Sequence, residues 1–389
     1  MRFVLADENL VVAGRAYKGF PLLVGDDGAP IQPAQDWLWD LLATTGRISS
    51  RRTWENYGRA IYDFFAFSLT NNHDWSVAPP PGMPSAIDAW REWSRGTLEL
   101  DASTINPRIR VVVRFYKWAI KKGHIDRLPF DYEALRSFRP ARFHFEGDAT
   151  SETQASPKVL LRERRRVIRF LITDQIVECH QSLSNLTHRL MFELMVRTGL
   201  RQSECRTFPD AYVFDPSKRR DLHPGQKIRV RLDPLKMEIK NSTHREIDVP
   251  YDLMEKLWAY SLRQRQRRAN ADREGRVIPH LFPTEDGAPY KKDSIAGIFR
   301  DLSKRVGFRV TAHMLRHSYA TYLLWSLRKS ETFEGEPLLY VRDRLGHVNV
   351  STTAEYLHLV NSLEGHLILA HEDEIDRLFS PDWPSGGRG

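Results

Sequence analysis

AHMLRHSYAT, residues 312–321, places His313, Arg316 and His317 at i, i+3 and i+4, so the three side chains share one face of any helix formed there. Taken alone, that face suits a metal, an anion or neither. A His-x3-His pair on a helix is a zinc arrangement, but no glutamate follows His313 and a fixed cation stands between the imidazoles. A guanidinium opposes a divalent ion and favours an oxyanion. Upstream, MVRTGLRQSEC (195–205) ends an apolar run at Gly199–Leu200 and delivers Arg201, with Glu204 near enough to steady it. An arginine leaving a buried helix end needs an anion, either a side-chain carboxylate or a bound phosphate. Downstream, LGHVNVSTTAEY (345–356) offers His347 and, nine residues later, Tyr356, with STT reading as a helix start.

A chain of 389 residues is long for one hydrophobic core and implies two domains. Its 41% hydrophobic content excludes wholesale disorder. No run approaches the roughly 20 apolar residues that span a bilayer, and the N-terminus lacks the continuous apolar segment of a signal peptide. The only two cysteines, Cys179 and Cys205, exclude a disulfide framework, read as small buried hydrophobes and fit a reducing cytoplasm. A net charge of +8 fits a polyanionic partner, though its placement says more than its sum.

Residues 1–35 read as an N-terminal extension of short strands, with DDGAP as a turn. Over 36–135 the pattern is helical. In TWENYGRAIYDFFAF, Trp54, Tyr57, Ile61, Phe64 and Phe65 recur at helical steps, with Thr53 as the expected N-cap. INPRIRVVVRFYKWAIKKG (105–123) opens at Asn106–Pro107 and closes at Gly123. Its apolar side is Ile109, Val112, Val113, Tyr116 and Ile120; Arg110, Arg114, Lys117 and Lys121 form a basic stripe. A stripe without interspersed carboxylates suits a row of phosphates, because its members otherwise repel. Residues 136–160, rich in Ser, Thr, Pro and charge, read as a linker into a second domain at 161–389. That domain opens with Arg162, Arg164, Arg165 and Arg166, a basic connector suited to clamping a duplex. Within it, QKIRVRL and REIDVP alternate as strands of a small antiparallel sheet, and the rest is helical.

Four segments, TGLRQSE, then Lys240 in IKNSTHREIDVP, then HMLRH, then LGHVNVSTTAEY, together resemble the tyrosine recombinases, the integrase family, in motif and in order. The resemblance covers about residues 166–360; RTWENYGRAIYDFF and INPRIRVVVRFYKWAIKKGHI resemble, more loosely, the family's helical core-binding domain. It implies a mainly α fold with a small antiparallel β-sheet, an N-terminal core-binding domain and an α+β catalytic domain. By position, Arg201 and Arg316 match the catalytic arginines, Lys240 the hairpin lysine, His313 the H-x-x-R histidine, His347 the second histidine and Tyr356 the nucleophile. Glu204 matches a supporting acid; His317 is not usually counted as catalytic. Lys236 competes with Lys240, which Arg245 and Val249–Pro250 favour by their spacing.

The chemistry stands beside the name. Breaking a phosphodiester while conserving its energy requires a covalent intermediate. A phenol with pKa near 10 is only about 0.1% ionised at pH 7 and needs a base or cationic help. His313 is the expected base, the two arginine forks hold the nonbridging oxygens, and Lys240 protonates the departing 5′-oxygen. No metal and no other cofactor is expected. The resemblance implies a site-specific recombinase of integrase or transposase type, working through a 3′-phosphotyrosyl bond. Its implied partners are duplex DNA bearing recombination sites and further copies of itself, a dimer per site and a tetramer on two, with other recombinases or a directionality factor as additional candidates. The expected compartment is the cytoplasm, at the nucleoid. Two alternatives stay open: a DNA-relaxing enzyme resembling type IB topoisomerases, and a catalytically silent DNA-binding accessory protein. A final helix with Ile368, Ile375, Leu378 and Phe379 on one side is expected to dock on its own domain or on a neighbouring copy.

Overall fold

The computed structural model describes residues 1–46, 48, 50–80, 82–134, 155–163, 168–272, 278–347 and 350–378, with side chains to residue 365 except at 134, 155, 241 and 351. Two compact units divide the chain, Met1–Arg165 and Arg166–Gly389.

In the first unit, β1 (Arg2–Leu5) pairs antiparallel with β4 (Pro21–Val24), Phe3 opposite Leu23, and β2 (Val11–Val12) pairs with β3 (Arg15–Ala16). Helices α1 (Ala34–Leu38), α2 (Arg51–Thr70), α3 (Ala86–Gly96) and α4 (Ala102–Lys121) follow, then β5 (Tyr132–Ala134) paired with β6 (Ala155–Pro157). Phe20 and Leu23 are buried in the same core as Trp37, Phe64, Trp90, Phe115 and Tyr116. The rings meet edge-on, as Phe64 does with Trp90 at 5.5 Å, the arrangement their quadrupoles favour.

Two helix readings shift. Helix α2 is capped by Ser50, whose hydroxyl accepts the Thr53 N–H, so Thr53 is the donor and not the cap. Helix α4 starts at Ala102, with Pro107 inside it, while buried Asn106 bonds the Leu161 carbonyl and Glu163. Packing against α1, α2 and α3 widens its apolar face, so Val111, Phe115 and Ala119 are buried and Ile120 is left exposed. Residues 135–154, most of the expected linker, and Arg164, Arg165 and Arg166 lie outside the described residues.

The second unit contains α5 (Thr173–Ser182), α6 (Leu186–Thr198), α7 (Gln202–Arg206), β7 (Lys227–Leu232), β8 (Arg245–Pro250), α8 (Tyr251–Tyr260), α9 (Gln266–Ala269), α10 (Lys292–Val306), α11 (Ala312–Lys329), α12 (Pro337–Leu345) and α13 (Val350–Leu378). Strands β7 and β8 form an antiparallel pair with Val230 opposite Ile247. The fold is mainly helical with small antiparallel sheets, as the sequence implied. Helix α11 packs against α6, α12 and α13, bringing the AHMLRHSYAT segment between three partners. Phe379 and the side chains of Ile368, Ile375 and Leu378 lie outside the description. No helix among the described residues is long and apolar enough to cross a membrane.

Candidate active site

Helix α6 stops at Gly199, whose φ of +67° is the left-handed conformation glycine adopts without a steric penalty. A Cβ there would lie 2.4 Å from the Tyr319 ring, so the position is closed on both counts. Arg201 then caps α7, its backbone N–H and Nη1 donating to Glu204 at 2.8 and 2.9 Å. Glu204 is fully buried and takes a second guanidinium, Arg245 Nη2 from β8. Burial alone would raise the Glu204 pKa; Arg245 and Arg201 override it and hold the carboxyl below its usual value.

Helix α12 ends at Gly346, also left-handed at φ +62°. The final carbonyls of a helix have no intrahelical partner and carry the negative end of its dipole. Three arginines take three consecutive ones. Arg245 Nη1 donates to Arg344 O, Arg316 Nη2 to Leu345 O, and Arg201 Nη2 to Gly346 O at 3.4 Å. Arg316 also donates to Gly199 O at 2.6 Å, joining the two glycine-capped helix ends. Burial and the neighbouring cations Arg201 and Arg245 push the Arg316 pKa down to about 9, which leaves it charged at neutral pH. Arg344 anchors α12 on β8 through Asp248 at 2.7 Å.

The turn carrying those carbonyls runs into His347. Its Nδ1 lies 3.1 Å from Thr353 Oγ1, and its ring lies parallel to that of Tyr356, with centroids 6.2 Å apart. Tyr356, on α13, is 2% exposed, and its hydroxyl is 2.9 Å from His317 Nδ1. His313 follows one turn earlier on α11, its ring 5.3 Å from that of His317. Burial raises the Tyr356 pKa to about 12, against the opposing pull of Arg316 and Arg201. Burial, His313 and Arg316 lower His317 to about 4, and burial with Arg316 and Arg201 lowers His347 to about 3. His313, although exposed, is also lowered, by desolvation and by Arg316, Arg201 and Lys240.

A cleft of about 410 Å³ opens on this assembly, lined by Arg201, Lys240, Arg245, Arg342 and His347 among others. Lys240 is exposed, on a 3₁₀ turn (Lys240–Ser242) in the β7–β8 connection. Lys236 points elsewhere, over the Tyr212 ring at 6.0 Å. Among the described residues His313, Arg316 and Tyr356 do not line the cleft; Tyr356 is packed with Leu359 and Val360 against Ala320 and Leu324.

Sequence reasoning missed two members. Arg245 was a spacing marker, yet it shares the inward face of β8 with Ile247 and Val249, and a charge at that alternation signals a buried partner. His317 was set aside, yet it is the imidazole bonded to Tyr356.

On α4, Arg110, Arg114, Lys117 and Lys121 are all exposed. Chain folding supplies the carboxylate the stripe lacked locally, because Glu163 lies 3.3 Å from Arg110. Arg114 bonds the Tyr57 hydroxyl and Lys117 sits over the Tyr132 ring at 5.0 Å. Arg162 is exposed in the described part of the connector.

The phage integrase family profile matches residues 169–362. Tyrosine recombinase XerD of Caulobacter vibrioides is 26% identical over 328 residues, 83% of this chain and 90% of that protein. The chain belongs to the tyrosine recombinase family. Another relative of this recombinase is transposase A from transposon Tn554 of Staphylococcus aureus, 26% identical over 266 residues, 67% of each chain. Its fold is shared with the Tn1549 transposon integrase, solved in complex with transposon right end DNA, at TM-score 0.55 and 15% identity over 82% of this chain and 93% of that one. It is likewise shared with XerH site-specific recombinase bound to palindromic difH substrate, at TM-score 0.54 and 14% identity over 90% and 92%.

Proposed function

We propose that this site-specific DNA recombinase cleaves a strand with the Tyr356 hydroxyl, holds it as a 3′-phosphotyrosyl ester, and rejoins it when a 5′-hydroxyl attacks that ester. The observation carrying this reading is the convergence of Arg201 and Arg316 on adjacent carbonyls of the turn that leads to His347, beside Tyr356. Guanidiniums fixed before the substrate arrives stabilise charge on the nonbridging oxygens without reorganising, each donor contributing about 10²–10³ in rate. Glu204 and Arg245 keep Arg201 in place. His313, beside the same cations, bonds the phosphate as charge develops. Lys240, on an exposed turn at the cleft, delivers the leaving-group proton. Because Tyr356 is buried, it moves with its helix start to meet the phosphate, which DNA binding drives.

In the same reading 36–135 forms the core-binding domain and 161–389 the catalytic domain. Arg110, Arg114, Lys117, Lys121 and the 162–166 arginines contact the DNA backbone, and dimers on each site pair into a tetramer at the nucleoid. A nicked suicide duplex from the flanks of the gene tests the chemistry. The wild type yields a covalent adduct on denaturing gels and Tyr356→Phe yields none; an adduct surviving that substitution overturns the nucleophile. Lys240→Ala cleaves an ordinary strand slowly and a 5′-phosphorothiolate strand normally, and no rescue removes Lys240 as the acid.

A further inference from the structure

We propose that Asp248 on β8 is a positioning residue: by gripping one face of α12 it sets the hairpin that carries Lys240 where the lysine can reach the leaving oxygen. The inference rests on the recombinase reading above and assigns a role to a carboxylate outside the proposed catalytic set.

Strand β8 alternates, so Arg245, Ile247 and Val249 face the core while Glu246 and Asp248 face away from it. A polar outward residue on a two-stranded sheet is ordinarily solvated, as Arg229 opposite Asp248 is. Asp248 is instead buried, where α12 packs on β8. A buried carboxylate needs partners, and Asp248 has two on α12. Tyr340 donates its hydroxyl to Oδ2 at 2.7 Å. Arg344 Nε lies 2.7 Å from the same oxygen, an ion pair without hydrogen-bond alignment. Tyr340 and Arg344 stand at i and i+4 on one face of α12, with the guanidinium over the phenol ring at 4.7 Å. Glu246 adds a longer contact to Arg344 at 3.4 Å. Two anchors on one helical face fix both the roll of α12 and its height along the strand.

That grip lies beside the cleft. One wall supplies Lys240, His244 and Glu246 from the β7–β8 connection and the start of β8; the other supplies Arg342, Gly346 and His347 from the end of α12 and its turn. Arg201 and Arg316 hold carbonyls of that second wall, and Arg316 also holds Gly199 O, so both forks go with α12 and α6 and not with the hairpin. Of the proposed catalytic groups, Lys240 alone belongs to the hairpin. On the inner face of β8, Arg245 ties the strand to Arg344 O and Glu204; on the outer face, Asp248 ties it to the Tyr340 and Arg344 side chains. Holding β8 from both faces fixes the strand from which the Lys240 turn springs, whatever path the exposed turn takes when DNA enters. Proton delivery tolerates little error, since a misplacement of about 1 Å costs up to about 10²-fold. A carboxylate that sets this distance acts on the acid step and leaves the forks in place.

Single-turnover cleavage of the nicked suicide duplex tests this, with gel-shift affinity measured beside it. Asp248→Asn keeps the size of the side chain and removes its charge. Its cleavage of an ordinary strand is expected to fall about 10–100-fold with DNA affinity unchanged. Tyr340→Phe removes one hydroxyl, keeps the ring against Arg344, and is expected to lose less in the same direction. A 5′-phosphorothiolate leaving group needs no acid and restores both. In a Lys240→Ala background Asp248→Asn costs nothing further, because the two act as a unit. Thermal unfolding of each variant separates lost fold from lost positioning, and Tyr340→Phe decides where Asp248→Asn does not fold. A wild-type rate in the deciding variant, a loss that phosphorothiolate leaves intact, or additive losses in the double variant overturns the positioning role, and Asp248 then only holds the fold. Absence of any Tyr356-dependent adduct from the wild type overturns the recombinase chemistry instead, and failure of phosphorothiolate to rescue Lys240→Ala overturns the acid through which Asp248 acts.

Discussion

Arginine is used in two opposite ways in the two units. On α4 of the first, Arg110 and Arg114 are exposed, and their partners are a partly exposed carboxylate and a tyrosine. In the second, Arg245 and Arg316 are buried and Arg201 nearly so, and each is bonded to a helix-end carbonyl. Exposed cations attract a polyanion at long range and are screened by salt. Buried ones, already desolvated and aimed, stabilise charge at one place. Residue type does not distinguish a solvated surface charge from a fixed, aimed donor; burial does.

The sharpest test replaces fork with point charge. Arg316→Lys keeps the cation but loses the planar donors, so single-turnover cleavage is expected to fall about 10²–10³-fold while gel-shift affinity for DNA changes little. A large affinity loss with unchanged cleavage would erase the contrast. Next comes Glu204→Ala, which leaves Arg245 as an uncompensated buried charge. Urea unfolding is expected to show a loss of about 3–5 kcal/mol, and a loss below 1 kcal/mol would mean water reaches the cluster.

Acid probes the same interior more gently. His317 and His347 stay neutral in the folded chain down to about 4 and about 3, whereas the unfolded chain protonates them below about 6.5. Between those limits the unfolded state binds more protons, so stability present above pH 6.5 is lost as pH falls. Calorimetry is expected to show Tm dropping from pH 6.5 toward 4, less steeply in His317→Asn. The smallest effect belongs to the surface. Lys117→Ala is expected to reduce the slope of log affinity against log salt by about 0.9 and to weaken binding modestly at low salt.

Much of this was legible in the sequence. Arg201, Arg316, His347 and Tyr356, which the structure brings together, each sit in a short local motif that made them candidates, as do His313 and, by its spacing from Arg245, Lys240. The mainly helical architecture followed from periodicity. What escaped depends on tertiary approach. Glu163 reaches Arg110 from fifty-three residues away. Ile120 lost its place in the core because α4 has three neighbours and not one. Arg245 and His317 lie on motifs that were read, but their partners are set by how β8 and α13 pack, which no spacing along the chain encodes.

The near-complete enclosure of Tyr356 has one more consequence. A phenol that is 2% exposed, bonded to an imidazole and titrating near 12 is chemically quiet. Electrophiles that modify surface tyrosines should spare it, and phosphodiesters met in passing along a chromosome should leave without a scar. If Tyr356 is the nucleophile proposed above, its attacking atom is sheathed by default, and a chain that drifts over DNA carries its blade closed.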